Sequence, residues 1–217
     1  MKWSISQLSR TLPLLIANGE TGEIAREFAS RIYSNEKWCM LRRDMTIPFT
    51  PPAAKIPIHI RPLEKTDIAK VVRERPIRLP ALEAGLSTCY LAIAGNGDIC
   101  YMQWLVDSTQ NDLIETRFTG LSPRLNDDEM LLEWAYTFKK YRGLGIMAPA
   151  MSAISEEGAR KGARWLMTFV EHSNIPSLRG CRSAGYRPYK IREDRWRLGR
   201  CDESFASLPA DAKYPFE

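Results

Sequence analysis

The stretch that most restricts the fold runs from residue 130 to residue 171. Residues 130–138, MLLEWAYTF, read as an apolar strand. They lead directly into KKYRGLGIM, and residues 146–161 then carry a helical pattern that Gly162 can end. A second apolar run, RWLMTFV, follows and suits a strand buried on both faces. The turn between strand and helix holds Gly143 and Gly145, which let backbone come close to a ligand. The first N–H groups of a helix have no intrahelical acceptor, and its N-terminus carries about half a positive charge. Such a turn suits an anion. Lys139, Lys140 and Arg142 add charge, and Pro149 falls in the first turn, where a missing N–H costs little. A plain tight turn accounts for the same residues. Neither G-x-x-x-x-G-K-[ST] nor a complete G-x-G-x-x-G is present.

The rest of the chain divides by pattern. Residues 1–46 read as helical, with Ile5, Leu8, Leu12 and Leu15 at three-four spacing. Ile24, Phe28 and Ile32 repeat that spacing after a candidate N-cap at Thr21. These stripes suit packing against the rest of the protein, acceptor binding or a homodimer. IPFTPPAAKIP has four prolines in eleven residues and reads as an extended connector. A boundary is therefore expected near Ile56, with a helical extension over 1–55 and a second domain over 56–217. In that domain IHIRPL alternates like a strand, and Thr66 and Asp67 can cap a helix. Residues 89–106 read as a hairpin about GNGD. Residues 107–128 read as polar and irregular. IPSLRGCRSA reads as a short helix, and a last hairpin is expected around Glu193 and Asp194. The expected fold is α/β: a mixed, mostly antiparallel sheet flanked by helices, plus N-terminal helices.

Composition narrows the classes. No apolar run approaches the roughly 20 residues of a membrane helix. LPLLIA is too short for a secretory core, so a cytoplasmic protein is expected. The five cysteines form no C-x-x-C pair and there are two histidines, so no metal or disulfide framework is expected. A net charge of +5 favours an anionic ligand without demanding nucleic acid. Residues 179–200 carry seven arginines and Lys190 against Glu193 and Asp194. That face suits a coenzyme phosphate, an acidic acceptor, RNA stacking through Tyr186, Tyr189 and Trp196, or plain solvent.

LLEWAYTFKKYRGLGIM resembles the central motif of the GNAT acyltransferase superfamily, a strand followed by [Q/R]-x-x-G-x-[G/A] and a helix. Lys140 stands at the Gln/Arg position, with Gly143 and Gly145 at the glycines. VEHSNIPSLRGCRSAGYRPY resembles a second motif of that superfamily through Val170, Asn174, Ser177, Gly185 and Tyr186. The resemblance covers about residues 57–200. It implies acyl transfer, acetyl in the simplest case, from acyl-coenzyme A to a small-molecule, peptide or protein amine. It also implies that backbone at Tyr136, Thr137 and Phe138 pairs with the pantetheine arm. The pyrophosphate would sit on Lys140, Tyr141, Arg142, Gly143, Leu144, Gly145 and Ile146, with Asn174 beside the arm or the acceptor site and Ser177 also binding the coenzyme. A longer acyl chain, or a non-catalytic acyl-coenzyme A binding module, fits the same motifs.

The resemblance implies a glutamate base on the strand, and Glu133 is the one carboxylate in LLEWAYTF. In an apolar strand it must face solvent or line a cleft; burial would raise its pKa towards a useful value. Glu171 and His172 are weaker candidates in a loop, and His59 alternates outward with Ile58 and Ile60. The general acid implied by the resemblance, a tyrosine, is replaced by Cys181. A thiol can in principle protonate a thiolate, whereas a buried structural cysteine is the plainer reading. Tyr186 and Tyr189 are substitutes if geometry allows.

Overall fold

The computed structural model describes residues 33–217 except 84, 87 and 118–123, together with a few single positions before 33. Eight strands form one sheet: β1 (Tyr33–Asp44), β2 (Ile58–Pro62), β3 (Cys89–Ala94), β4 (Ile99–Val106), β5 (Glu129–Thr137), β6 (Trp165–Glu171), β7 (Arg187–Arg197) and β8 (Arg200–Ser207). From residue 33 on, five α-helices among the described residues accompany them: α1 (Ile68–Glu74), α2 (Leu79–Glu83), α3 (Asn111–Arg117), α4 (Met147–Arg160) and α5 (Ile175–Ser183). The strand order is β2-β3-β4-β5-β6-β1-β7-β8. Every neighbouring pair is antiparallel except β5 and β6, which are parallel across the α4 crossover. The mixed, mostly antiparallel sheet matches the expectation.

The largest difference lies in β1. Residues 33–44 were expected to be helical, yet they form a strand between β6 and β7. Their own sequence alternates: Cys39 and Leu41 fall on one face, Met40 on the other, and all three are wholly buried. Helical spacing upstream masked that period of two. A boundary near Ile56 therefore does not separate β1 from the sheet. Ile5, Leu8, Leu12, Leu15, Thr21, Ile24 and Phe28 lie outside the described residues.

Three smaller differences follow local chemistry. Residues 187–197 are one unbroken strand, so Glu193 and Asp194 sit in mid-strand opposite Ser204 and Glu203. The turn falls at Leu198 and Gly199, both with positive φ (49° and 83°), which suits the twist of a two-residue hairpin. Residues 111–117 within the expected irregular segment are helical. Asp67 stands at the N-cap of α1 as expected but makes no side-chain cap bond to it; Glu64 caps the 3-10 turn Lys65–Asp67 ahead of α1, and Asp67 reaches back to the Glu64 N–H at 3.0 Å while binding Arg61 at 2.6 Å. The hairpin of β3 and β4 is where it was expected, and Gly162 (φ 101°) does follow α4. No helix among the described residues is long and apolar enough to cross a membrane.

The core lies between the sheet and α4 with α5. Leu132, Met151 and Ile154 are wholly buried there, and Leu91 and Leu131 are wholly buried on the opposite face of the sheet, each contributing about 1.5–3 kcal/mol by area. A Cβ on Gly158 would come 2.9 Å from Leu166 and 3.5 Å from Leu105, so α4 lies tightly on β4 and β6. Arg43 of β1 is buried, donates to Ser152 at 2.8 Å and pairs with Glu156 at 2.9 Å, tying β1 to α4.

Candidate active site

β5 and β6 do not stay together. Their described pairs stop at Leu131 and Met167, while β5 continues to Thr137 and β6 to Glu171. The strands therefore splay, and the edge of β5 that faces β6 is left for another partner. On its other edge β5 remains paired with β4. A bulge in β5 sharpens the opening. Met102 faces Tyr136 and Trp104 faces Glu133, so one residue of β4 opposes two of β5. Trp134 in that bulge has φ 54°, a conformation costing about 1–3 kcal/mol for a residue with a side chain. Its ring meets Trp104 edge-on at 5.5 Å and lies 5.3 Å from the Arg78 guanidinium, contacts that hold the strain.

A cleft of about 1110 Å³ occupies this opening. The N-termini of two helices meet in it: Ile146, Met147 and Ala148 of α4, and Asn174, Pro176 and Ser177 of α5. Asn174 caps α5 by accepting from the Ser177 N–H at 3.3 Å, which is the physical content of N-x-x-S here. Gly143 (φ 77°) and Gly145 (φ 69°) form the exposed rim, and the space beside Gly143 is open. Arg75, Lys139, Arg142 and Arg179 also line the cleft, and no carboxylate among the described residues does. The connector closes one side. Pro52 and Ala53 line the cleft, the Lys55 N–H donates to Leu144 O at 2.9 Å, and Phe49 packs where a side chain on Gly185 would stand.

Nine of the twelve residues expected to bind coenzyme line this cleft: Tyr136, Thr137, Tyr141, Arg142, Gly143, Gly145, Ile146, Asn174 and Ser177. Phe138, Lys140 and Leu144 do not. Phe138 is buried beside Tyr136, with ring centres 5.8 Å apart. Lys140 reaches Asp98 in the β3–β4 turn at 2.8 Å, and Tyr141 donates to the same carboxylate at 2.6 Å. These two bonds, Lys140 first, hold the Asp98 carboxyl down at about 2. Lys140 thus pins the glycine turn to the hairpin.

Glu133 sits at the apex of the splay. It is buried and its Oε1 has no hydrogen-bond partner. Burial pushes its carboxyl up to about 8, against the pull of Arg78, the Trp134 and Phe169 N–H groups and Arg192. The solvent-facing alternative for Glu133 is excluded. Cys181 is buried beside it, and burial, then the Glu133 carboxyl, drives its thiol far up. Tyr186 is buried with its hydroxyl 2.7 Å from Ser155. Neither Cys181 nor Tyr186 lines the cleft. Tyr189 bonds Met167 Sδ, and His59 is exposed on the β2 edge.

Sequence reading missed Arg75 and Tyr101 as lining residues; Lys139, read as charge beside the turn, and Arg179, read within the Arg-rich stretch, line the cleft too. Arg75 precedes a proline in a helical link, and Tyr101 lies in an apolar strand, so neither carries a local signal. The one group of metal-ligand type among the described residues is Asp194, Cys201 and Glu203 on the last hairpin. Arg192 already holds both carboxylates, at 2.6 and 3.3 Å.

No family model matches the chain, and no curated protein does. Solved structures do. A GNAT-family acetyltransferase structure from Novosphingobium aromaticivorans has TM-score 0.52 at 15% identity, over 75% of this chain and 64% of that one. A Drosophila protein has TM-score 0.54 at 17% identity, over 84% and 59%. A GNAT-family acetyltransferase from Colwellia psychrerythraea has TM-score 0.53 at 10% identity, over 78% and 59%. The matched region spans less than two thirds of each of these chains. The fold is therefore GNAT-like, with the splayed β5–β6 pair at its centre.

Proposed function

We propose that this protein transfers an acyl group, acetyl in the simplest case, from acyl-coenzyme A to an amine. The observation that carries this reading is the cleft itself: among the described residues, two helix N-termini, two positive-φ glycines and four cations surround one groove with no lining carboxylate. An anionic ligand is favoured there by both dipole and charge. Coenzyme A brings a pyrophosphate to such a rim and an extended, amide-bearing arm to the open edge of β5. The arm's amides pair with backbone at Tyr136 and Thr137 as an added strand would. A β5 N–H polarises the thioester carbonyl, and Glu133 takes the proton of the attacking amine, directly or through water.

Titration calorimetry with acetyl-coenzyme A tests the reading. Binding is expected, with an affinity that weakens as salt is raised. Absence of heat at millimolar ligand overturns it. Comparison of acetyl with octanoyl and longer donors then fixes the chain length.

A further inference from the structure

The cleft is longer than one anion needs. Asn174, Pro176, Ser177, Arg179, Gly180 and Ser183 all line it. It therefore follows α5 from the N-cap to the last residue, about 14 Å at the rise of a helix. The glycine turn and the two helix N-termini serve an anion at one end. Arg179 stands further along, about 6 Å beyond Ile175, where the unpaired N–H groups of the first turn have ended.

Arg179 is held over an aromatic ring. Its guanidinium lies 5.6 Å from the centre of Phe216, and that of Arg182 lies 5.8 Å from the same ring. The two arginines differ in charge balance. Arg182 pairs with Glu217 at 2.7 Å, whereas no carboxylate among the described residues pairs with Arg179. Stacking occupies the face of a guanidinium and leaves its N–H donors free in the plane, the arrangement that receives a phosphate bidentately.

Phe216 is itself fixed in place. Residues 214–217 close into a turn, in which the Glu217 N–H donates to Tyr214 O and the Tyr214 N–H donates to the Glu217 carboxylate, both at 3.0 Å. The Tyr214 ring stacks on Phe216 with centres 5.2 Å apart. Tyr214 is buried, and its hydroxyl donates to Tyr186 O at 2.6 Å. The turn is thus pinned just ahead of β7 and presents an aromatic floor to the side of α5 that carries Arg179.

Coenzyme A bears phosphate at two places, the pyrophosphate and the 3′ position of its ribose. The glycine turn suits the first, and Arg179 is the cation that α5 adds to the cleft beyond it. We propose that Arg179, seated on Phe216, binds the ribose 3′-phosphate and makes this protein select 3′-phosphorylated donors; this rests on the acyl-transfer reading above. Phe216 is a positioning residue: it acts through Arg179 and touches no ligand. No bond is made or broken at this subsite.

The test compares coenzyme A with dephospho-coenzyme A, which lacks only the 3′-phosphate, by titration calorimetry at one salt concentration. The wild type is expected to bind coenzyme A about tenfold more tightly, as a charge-assisted contact would give. Arg179→Ala is expected to bring that ratio close to one while holding dephospho-coenzyme A within about twofold of wild type. Phe216→Leu is expected to lower the ratio part of the way, and Phe216→Tyr to restore it. Arg182→Ala, whose charge is already matched by Glu217, is expected to leave the ratio as it is. A wild type that binds both ligands equally overturns the proposal and leaves acyl transfer standing. So does an Arg179→Ala variant that weakens both ligands by the same factor. A ratio unchanged in Phe216→Leu, or an equal loss of both ligands there, overturns the positioning role. Failure of the wild type to bind either ligand overturns the acyl-transfer reading, and the proposal with it.

Discussion

The two ends of the cleft are built on opposite principles. The rim is exposed, positively charged and made of backbone: Gly143, Gly145 and the first turns of α4 and α5, with Arg75, Lys139, Arg142 and Arg179 around them. The apex of the splay is buried and made of side chains kept neutral by desolvation, Glu133, Tyr101 and Cys181, and of these Glu133 and Cys181 lie behind the cleft lining rather than in it. Fixed charge in water attracts a ligand but does little chemistry, because solvent screens it. Burial moves the Glu133 carboxyl towards neutral pH, where it can exchange a proton, whereas it moves the Tyr101 phenol and the Cys181 thiol away from it. On the proposed acyl transfer, capture falls to the rim and proton transfer to Glu133 at the apex, and each substitution below strikes only one.

Glu133→Gln is expected to give the largest effect. It removes the apex base without touching the rim, so turnover falls by about 10²–10⁴ while acetyl-coenzyme A affinity stays put. The wild-type rate should rise with pH towards about 8, as the carboxyl ionises, and the variant should lose that rise. The same group sets a stability trend with the following sign. Glu133 keeps its proton in the folded state up to about 8 but loses it near the ordinary carboxylate value when unfolded. Between those values the unfolded chain binds fewer protons, so stability falls as pH rises. The span corresponds to an upper figure on the order of a few kcal/mol. Thermal melts from pH 5 to pH 8 should show Glu133→Gln losing part of that decline. Equal turnover in wild type and variant would remove the assignment of the base.

Gly145→Val strikes the rim. A β-branched residue is poorly tolerated at φ 69°, and strain there is about 1–3 kcal/mol. Coenzyme affinity is expected to fall about 10–100-fold, since each 1.4 kcal/mol is a factor of ten. Turnover at saturating donor should change much less. If turnover fell as far as affinity, the rim and apex would not be separable.

How far this contrast could be read in advance follows from the kind of signal each end carries. The rim is local in sequence: strand, K-x-x-G-x-G and helix lie within a few residues, and N-x-x-S is a cap, so both were legible. The apex is assembled from β4, β5 and α5. Glu133 was visible as one charge in an apolar strand, but nothing local said that burial would raise it. Tyr101 had no signal, because an apolar strand with one tyrosine looks like core. β1 was misread for a similar reason. Its alternation is short, and its partners Val170 and Ile191 lie more than 100 residues away. Non-local pairing of this kind leaves no mark in a window of a dozen residues.

Arg142→Ala sharpens the rim further. Arg142 is exposed, lines the cleft and donates to Thr137 O at 3.3 Å with its guanidinium 5.5 Å from the Tyr136 ring. Its loss should weaken acetyl-coenzyme A binding several-fold at low salt, and raising the ionic strength should shrink the difference. Calorimetry at two salt concentrations measures this. A difference that does not shrink with salt would mean that Arg142 acts through packing on Tyr136.

Lys140→Ala should have the smallest effect, and it separates motif position from physical role. Lys140 occupies the first position of K-x-x-G-x-G, yet its ammonium lies 2.8 Å from Asp98 and outside the cleft lining. The pair is exposed on both sides, so solvent weakens the attraction and its removal should barely alter stability. Tyr141 still donates to Asp98 at 2.6 Å, and the Lys139 N–H still donates to Glu74 at 3.0 Å, so the turn keeps two of its ties. Acetyl-coenzyme A affinity should stay within about twofold, against the several-fold loss at Arg142, because an exposed ion pair contributes little. A loss at Lys140 equal to that at Arg142 would mean that the lysine leaves Asp98 when coenzyme binds. The cation count of the rim would then be five.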